Sequence, residues 1–178
     1  MSNYRRDYAY GGTYFITAVL QDRRCDWLVR YIHEFREAYR ETLRHCPSET
    51  VAVTVLPDHF HLVLRLPENR NDFSRIVQVL KTNFSKRLPE SCCRPNASQN
   101  GKREAGIWQR RFWEHKIRDD EDLERHVFYT YFNPVKHGLV RQVRNWPHSS
   151  FHRDVQNGLF PADWGGCLSE NVRNLYHE

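Results

Sequence analysis

Val51-Ala52-Val53-Thr54-Val55-Leu56-Pro57-Asp58-His59-Phe60-His61-Leu62-Val63-Leu64-Arg65-Leu66 is the stretch that decides the fold class. Both arms are rich in β-branched and apolar residues, and Pro57-Asp58 between them signals a tight turn. Residues 51–56 and 59–66 therefore read as the two strands of a β-hairpin. Alternation along the second strand sends His59 and His61 to one face and Phe60, Leu62, Leu64 and Leu66 to the other. Two imidazoles side by side on a rigid strand make half of a metal site, which a residue from elsewhere must complete. Isolated His-x-His pairs are commonly plain surface histidines. Here the apolar residue between them and the hydrophobic run after them bring the site reading level with the plain one, and no His-Glu-x-x-His is present.

Working outward, residues 12–20 are β-branched and aromatic and form another strand. Leu28, Ile32, Phe35, Tyr39 and Leu43 recur at helical spacing, and Pro47 ends that helix. After Asn71-Asp72, the residues Phe73, Ile76, Leu80, Phe84 and Leu88 line one face of a second helix, with Arg75, Lys81, Lys86 and Arg87 on the other. Residues 89–105 are polar and read as a loop. Residues 107–117 suggest a fourth strand and 119–137 a third helix. The order β-α-β-β-α-β-α predicts an α+β domain, a largely antiparallel four-stranded sheet with helices packed on it. Residues 1–145 form that domain. The aromatic, histidine-rich tail, 146–178, is expected to dock on it.

The chain has 178 residues, 39% of them hydrophobic and 28% charged, which suits one globular domain. No apolar run approaches the roughly 20 residues that span a bilayer, and the N-terminus lacks a secretory core, so a cytoplasmic protein with no membrane partner is expected. Five cysteines, an odd number without a Cys-x-x-Cys pair, argue against a zinc ribbon or a disulfide framework. A net charge of +5 suits a polyanionic partner such as nucleic acid.

The third helix contains Arg125-His126-Val127-Phe128-Tyr129-Thr130-Tyr131-Phe132-Asn133-Pro134. Helical phase puts Val127, Phe128, Tyr131, Val135 and Leu139 on a core face, and Arg125, His126, Tyr129, Asn133, Lys136 and His137 on the opposite side. Tyr129 and Tyr131 are about 200° apart around the axis. Tyr129, among polar and cationic groups, is the candidate nucleophile. Asn133, one turn on, can supply the third ligand to a metal held by His59 and His61. Pro134 should loosen the helix there. A phenol, with an ordinary pKa near ~10, is a poor nucleophile at neutral pH. A divalent cation that polarises a phosphoryl oxygen would bridge that gap, with Arg125 or Lys136 offsetting phosphate charge.

His59-Phe60-His61 resembles the His-hydrophobe-His signature of HUH endonucleases. Together with Tyr129 to Val140 it is similar to the single-tyrosine transposases, and most of all to the REP-associated tyrosine transposases. Tyr4-Arg5-Arg6, Gly11-Gly12-Thr13, Trp108-Gln109-Arg110-Arg111-Phe112-Trp113-Glu114-His115 and Trp146-Pro147-His148-Ser149-Ser150-Phe151 carry that narrower likeness. The resemblance covers nearly the whole chain; the segment between Cys92 and Ala105 is longer than it leads one to expect. It implies an HUH-like fold and a Mg2+ or Mn2+ ion on His59, His61 and Asn133. It also implies a single-stranded DNA endonuclease and strand transferase that acts on REP palindrome hairpins through a 5′-phosphotyrosine at Tyr129. It implies a monomer, whereas insertion-sequence relatives are dimers. A hairpin-binding protein without catalysis is the alternative, and a metal phosphoesterase acting on a small molecule is a third.

Hairpin DNA offers phosphates and unpaired bases. Arg5, Arg6, Arg75, Lys81, Lys86, Arg110 and Arg111 are candidate phosphate partners, joined by Arg125, Lys136 and His137 at the tyrosine helix. Tyr4, Tyr8, Trp108 and Trp113 are candidate stacking platforms. Each also has an ordinary reading, a solvated cation or a core aromatic. The basic, aromatic N-terminal arm, Tyr4 with Arg5 and Arg6, is the first choice.

Overall fold

The computed structural model describes residues 7–93, 95 and 105–165. Tyr4, Arg5, Arg6, most of the 92–105 insertion and the end of the tail lie outside the described residues. The elements run β1 (Thr13–Val19), α1 (Trp27–Arg30), α2 (Ile32–His45), β2 (Glu49–Val55), β3 (His59–Arg65), α3 (Phe73–Ser85), β4 (Trp113–Lys116), α4 (Asp120–Lys136) and α5 (Phe151–Gln156). The strands form one sheet in the order β2-β3-β1-β4, with every neighbouring pair antiparallel. The α+β architecture expected from the hairpin and its flanking helices is what forms.

Three expectations are corrected. The first helix divides at Tyr31 into two pieces. The fourth strand is confined to Trp113–Lys116, and Trp108 only bridges to Leu20 at the end of β1. Pro134 does not loosen its helix: it is buried in the last turn, and α4 runs on to Lys136 before Gly138, at φ 68°, ends it. Near a C-terminus the missing N–H leaves only one carbonyl without its helical donor.

Both faces of the sheet are covered. Tyr14, Ile16, Ala18 and Leu20 with Phe60, Leu62, Leu64 and Leu66 pack against Phe35 of α2 and Phe73, Ile76, Leu80 and Phe84 of α3. Each leucine, isoleucine and phenylalanine among them contributes roughly 1.5–3 kcal/mol by leaving water. The other face, with Phe15, Ala52 and Val63, packs against Val127, Tyr131 and Phe132 of α4 and against Phe151. Central β3 is consequently buried at every position from His59 to Leu64.

Helix α4 is covered on two sides as well. Asn133, placed by helical phase on a polar side, is wholly buried, while Leu139, expected in the core, is 39% exposed beyond the helix end. The side bearing Tyr131 and Phe128 does not meet the sheet alone; it receives Phe151, Phe160 and Trp164 from the C-terminal segment. That segment also caps the outer edge of β2. Ser150 donates its N–H to Val53 and accepts Val53 N–H on its hydroxyl, His148 accepts from Val55 N–H, and the Arg153 guanidinium reaches the carbonyls of Thr50 and Val51. An edge that would otherwise present free backbone groups is thereby satisfied. The Trp146 indole donates to the Val55 carbonyl at 3.0 Å.

Tyr131 is fully buried and its hydroxyl donates to Asp154 and contacts Ser150. Tyr131→Phe should lower the unfolding free energy by about 1–3 kcal/mol, since it removes a donor from a buried carboxylate; urea denaturation checks this. Burial, and then Arg36, lower the His148 pKa. The unfolded chain therefore takes up that proton at higher pH than the folded one. Stability from this group is present above the ordinary histidine pKa of about 6.5 and is lost as pH falls below it. The thermal midpoint should fall between pH 7.5 and 5.5, and less steeply in His148→Gln.

Candidate active site at the sheet centre

His59 and His61 project from β3 toward α4 with ring centroids 4.9 Å apart. Each ring is held through Nδ1. His59 Nδ1 donates to the Asp58 carboxylate at 2.6 Å, and His61 Nδ1 pairs with the Thr17 hydroxyl at 2.8 Å. Asp58 is itself clamped by Arg23 at 2.9 Å. Burial would raise the Asp58 pKa, but the bonds from His59 and Arg23 outweigh it and lower it to about 2. With Nδ1 engaged on both rings, Nε2 is the nitrogen left for a ligand, the arrangement by which second partners orient metal-binding histidines.

His61 Nε2 is buried without a hydrogen-bond partner. Burial, and then the neighbouring His59, hold its pKa well below the ordinary value, so its ring is neutral and carries a lone pair at neutral pH. Asn133 lies against it without closing a well-formed hydrogen bond, and both side-chain amide atoms of Asn133 are buried and unpartnered. A buried unpaired polar group costs roughly 1–3 kcal/mol, so the two lone-pair atoms among them, His61 Nε2 and Asn133 Oδ1, point to a ligand that completes them. The His137 ring stands 5.2 Å from His59, which places this residue beside the histidine pair and not on a remote DNA face.

Tyr129, one turn before Asn133, is half-buried with its ring 5.2 Å from His61 and edge-on to Phe15 at 5.7 Å. The Lys136 ammonium lies 4.9 Å from the Tyr129 ring centroid. These groups line a cleft of about 570 Å³ with Trp113, His115, Arg118, Asp122, Arg125 and His126. The structure therefore brings together Tyr129, His61, Arg125 and Lys136, with His59, Asn133 and His137 adjoining.

Sequence reasoning missed a second polar cluster in this cleft. Asp122 is buried, and its Oδ2 accepts from His115 Nε2 at 2.8 Å and from the Arg118 backbone and guanidinium at 3.1 Å each. Burial would raise the Asp122 pKa; the Arg118 and His115 bonds outweigh it and hold it well below the usual range. The His126 ring donates Nδ1–H to the Asp122 carbonyl at 2.7 Å. Ligand atoms of His115, Asp122 and His126 fall within 4.8 Å of one another, the spacing of a metal site. Unlike those of His61 and Asn133, they are already engaged with protein partners. Asp122 in the first turn of a helix gives no sequence sign that it is buried, and Thr17 gives none that it faces His61.

The remaining DNA-contact candidates fall elsewhere. Lys81, Lys86, Arg110 and Trp108 line a second cleft of about 770 Å³ on the α3 side of the sheet. Trp108 is 8% exposed and its indole donates to the Lys81 carbonyl and Ser85, so it is a core residue and not an open stacking platform. Lys81 donates to the Gln109 carbonyl at 2.6 Å. Arg75 and Arg111 are exposed outside both clefts.

Comparison with known proteins shows the family and the fold. The IS200-like transposase family model matches residues 8–129. A Haemophilus influenzae protein provisionally named a REP-associated tyrosine transposase is 56% identical over 93% of this chain and 94% of its own length. The Escherichia coli K12 REP-associated tyrosine transposase is 44% identical over 96% of this chain and 94% of its own. The solved structure of a REP-associated tyrosine transposase bound to a REP hairpin superposes with a TM-score of 0.81 at 43% identity, covering 95% of this chain and 94% of that one. With a family model spanning most of the described fold and relatives matched nearly end to end, this chain belongs to the IS200-like transposases and, among them, to the REP-associated tyrosine transposases.

Proposed function

We propose that the protein cuts and rejoins single-stranded DNA at REP-type hairpins, with Tyr129 as nucleophile and a divalent cation, magnesium or manganese, on His59, His61 and Asn133. The observation that carries this reading is the set of buried, unpartnered atoms, His61 Nε2 and the Asn133 amide, beside the Tyr129 ring. The hairpin-bound relative supports the substrate class.

The cation would polarise a phosphoryl oxygen and fix the phosphate for in-line attack. Asp58 and Thr17 orient the two imidazoles, so the ligand set is arranged before DNA arrives. Lys136 and Arg125 place positive charge where the phosphate enters. The Tyr129 oxygen forms a bond to phosphorus as the bond from phosphorus to the 3′ oxygen breaks. The phenol gives up a proton and the departing 3′ oxygen gains one. The products are a 5′-phosphotyrosine and a free 3′ hydroxyl. The phosphodiester is exchanged and not hydrolysed, so attack by a new 3′ hydroxyl rejoins DNA and regenerates Tyr129. A small-molecule phosphoesterase would have no need of that tyrosine.

Incubating the protein with labelled REP hairpin and manganese should give a covalent adduct on a denaturing gel. Tyr129→Phe should abolish the adduct and still bind the hairpin, while Tyr131→Phe should retain it. Adduct formation by Tyr129→Phe, or none by the wild-type chain that binds the hairpin, sinks the catalytic assignment. EDTA should stop the reaction and fresh manganese restore it. Thr17→Val, which removes the partner of His61 Nδ1, should weaken metal binding about 10- to 100-fold, measured by calorimetric titration without DNA.

A further inference from the structure

One row of side chains crosses the sheet at His61. Thr54, His61, Thr17 and Trp113 stand opposite one another on β2, β3, β1 and β4. Directly opposed residues in antiparallel strands share a face, so Trp113 emerges on the face that carries the histidine pair. It lies two strand spacings from His61, roughly 10 Å, and ends the row at the sheet's edge. Trp113 is 52% exposed, the only exposed tryptophan among the described residues.

The ring is held by its neighbours. Its edge contact with Phe15 is at 5.5 Å, and the same Phe15 ring meets Tyr129 at 5.7 Å, so a single phenyl group separates the indole from the tyrosine. Trp113 is parallel to His115 within 8°, and His115 is parallel to His126 within 12° at 4.5 Å. Asp122, held by Arg118, fixes His115 at the foot of this series. A large apolar ring is thus kept in one orientation and open to solvent, beside a cleft lined by Arg118, Arg125 and Lys136. A positively lined cleft with an aromatic face at its margin matches the combination that holds single-stranded nucleic acid, backbone on the cations and base on the ring.

We propose that Trp113 is the platform on which an unpaired nucleobase flanking the cleaved phosphate stacks. The proposal rests on the reading that Tyr129 attacks single-stranded DNA in this cleft. A base within a duplex has both faces covered by its neighbours, so the platform favours the unpaired strand next to a hairpin. Every base has a π-face, so the contact tolerates any sequence and positions the strand without reading it. The Asp122, His115 and His126 cluster then has a positioning role: it sets the plane of the indole.

The test measures binding apart from cleavage. Full-length protein in EDTA is titrated into a REP-type hairpin whose unpaired extension carries 2-aminopurine, one position at a time. One position should lose fluorescence on binding, and Trp113→Ala should abolish that loss and weaken affinity roughly 5- to 150-fold. Trp113→Phe should restore most of both. An abasic nucleotide at that position should weaken wild-type binding to the same degree and add nothing to Trp113→Ala. Wild-type affinity and quenching in Trp113→Ala overturn the proposal, as does a loss that Phe does not restore or that adds fully to the abasic change. Quenching that depends on Trp113 without any covalent adduct in manganese sustains the platform and refutes the catalysis. An adduct with a silent Trp113 does the reverse.

Discussion

Thr17 stands directly opposite His61 in the β1–β3 ladder, and this pairing places the hydrophobic core and the site at once. Because side chains alternate, the register that joins Thr17 to His61 also puts Ile16 against Leu62 and Tyr14 against Leu64 on the opposite face, where α2 and α3 cover them. A slip of one residue would turn β3 over relative to β1, putting its histidines on the face of Ile16 and Tyr14 and its leucines on the other. Core burial on one face therefore enforces the position of the imidazoles on the other. The hydroxyl of Thr17 then holds one ring nitrogen and leaves its partner toward α4.

Helix α4 completes the arrangement because it is covered on both sides. Tyr129 and Asn133 turn to the sheet while Tyr131 turns to the C-terminal segment and its Asp154. Without that segment, Phe128 and the outer side of Tyr131 would lie open to water. With it, the helix is clamped between two packed layers, and the phase that buries Tyr131 also fixes Tyr129 beside His61. The proline in the last turn is buried, and its missing N–H costs the helix a single backbone bond, that to the Thr130 carbonyl.

The site departs from the satisfaction that three aspartates of the fold show. Asp58, Asp122 and Asp154 each have charged or polar donors around their carboxylates. His61 Nε2 and the Asn133 amide do not, though both side chains are buried too. A fold that tolerates such atoms at its centre gives up some stability there, and packing on both faces over-determines their positions. The cleft repeats the contrast: Asp122 is ringed by donors on one side, and buried atoms without partners lie on the other.

By itself the sequence determined the hairpin, the shared face of His59 and His61, and the separation of Tyr129 from Tyr131 around a helix. Each follows from local periodicity, and the residue types between Pro57 and Leu66, or along α4, are enough to set it. It did not determine which side of α4 meets the sheet. Helical phase distinguishes two faces, but the apolar one packs on both the sheet and the C-terminal segment, and the polar one, with Asn133, is buried against the strands as well. Nor could it show that Trp108 is core and Trp113 is open, since two tryptophans five residues apart differ only in what the folded chain brings against them. Thr17 with His61, Asp122 with His115, and Trp113 in the His61 row depend on strand register and helix docking. Those contacts are decided by packing between segments distant in the chain, where no local pattern carries the information.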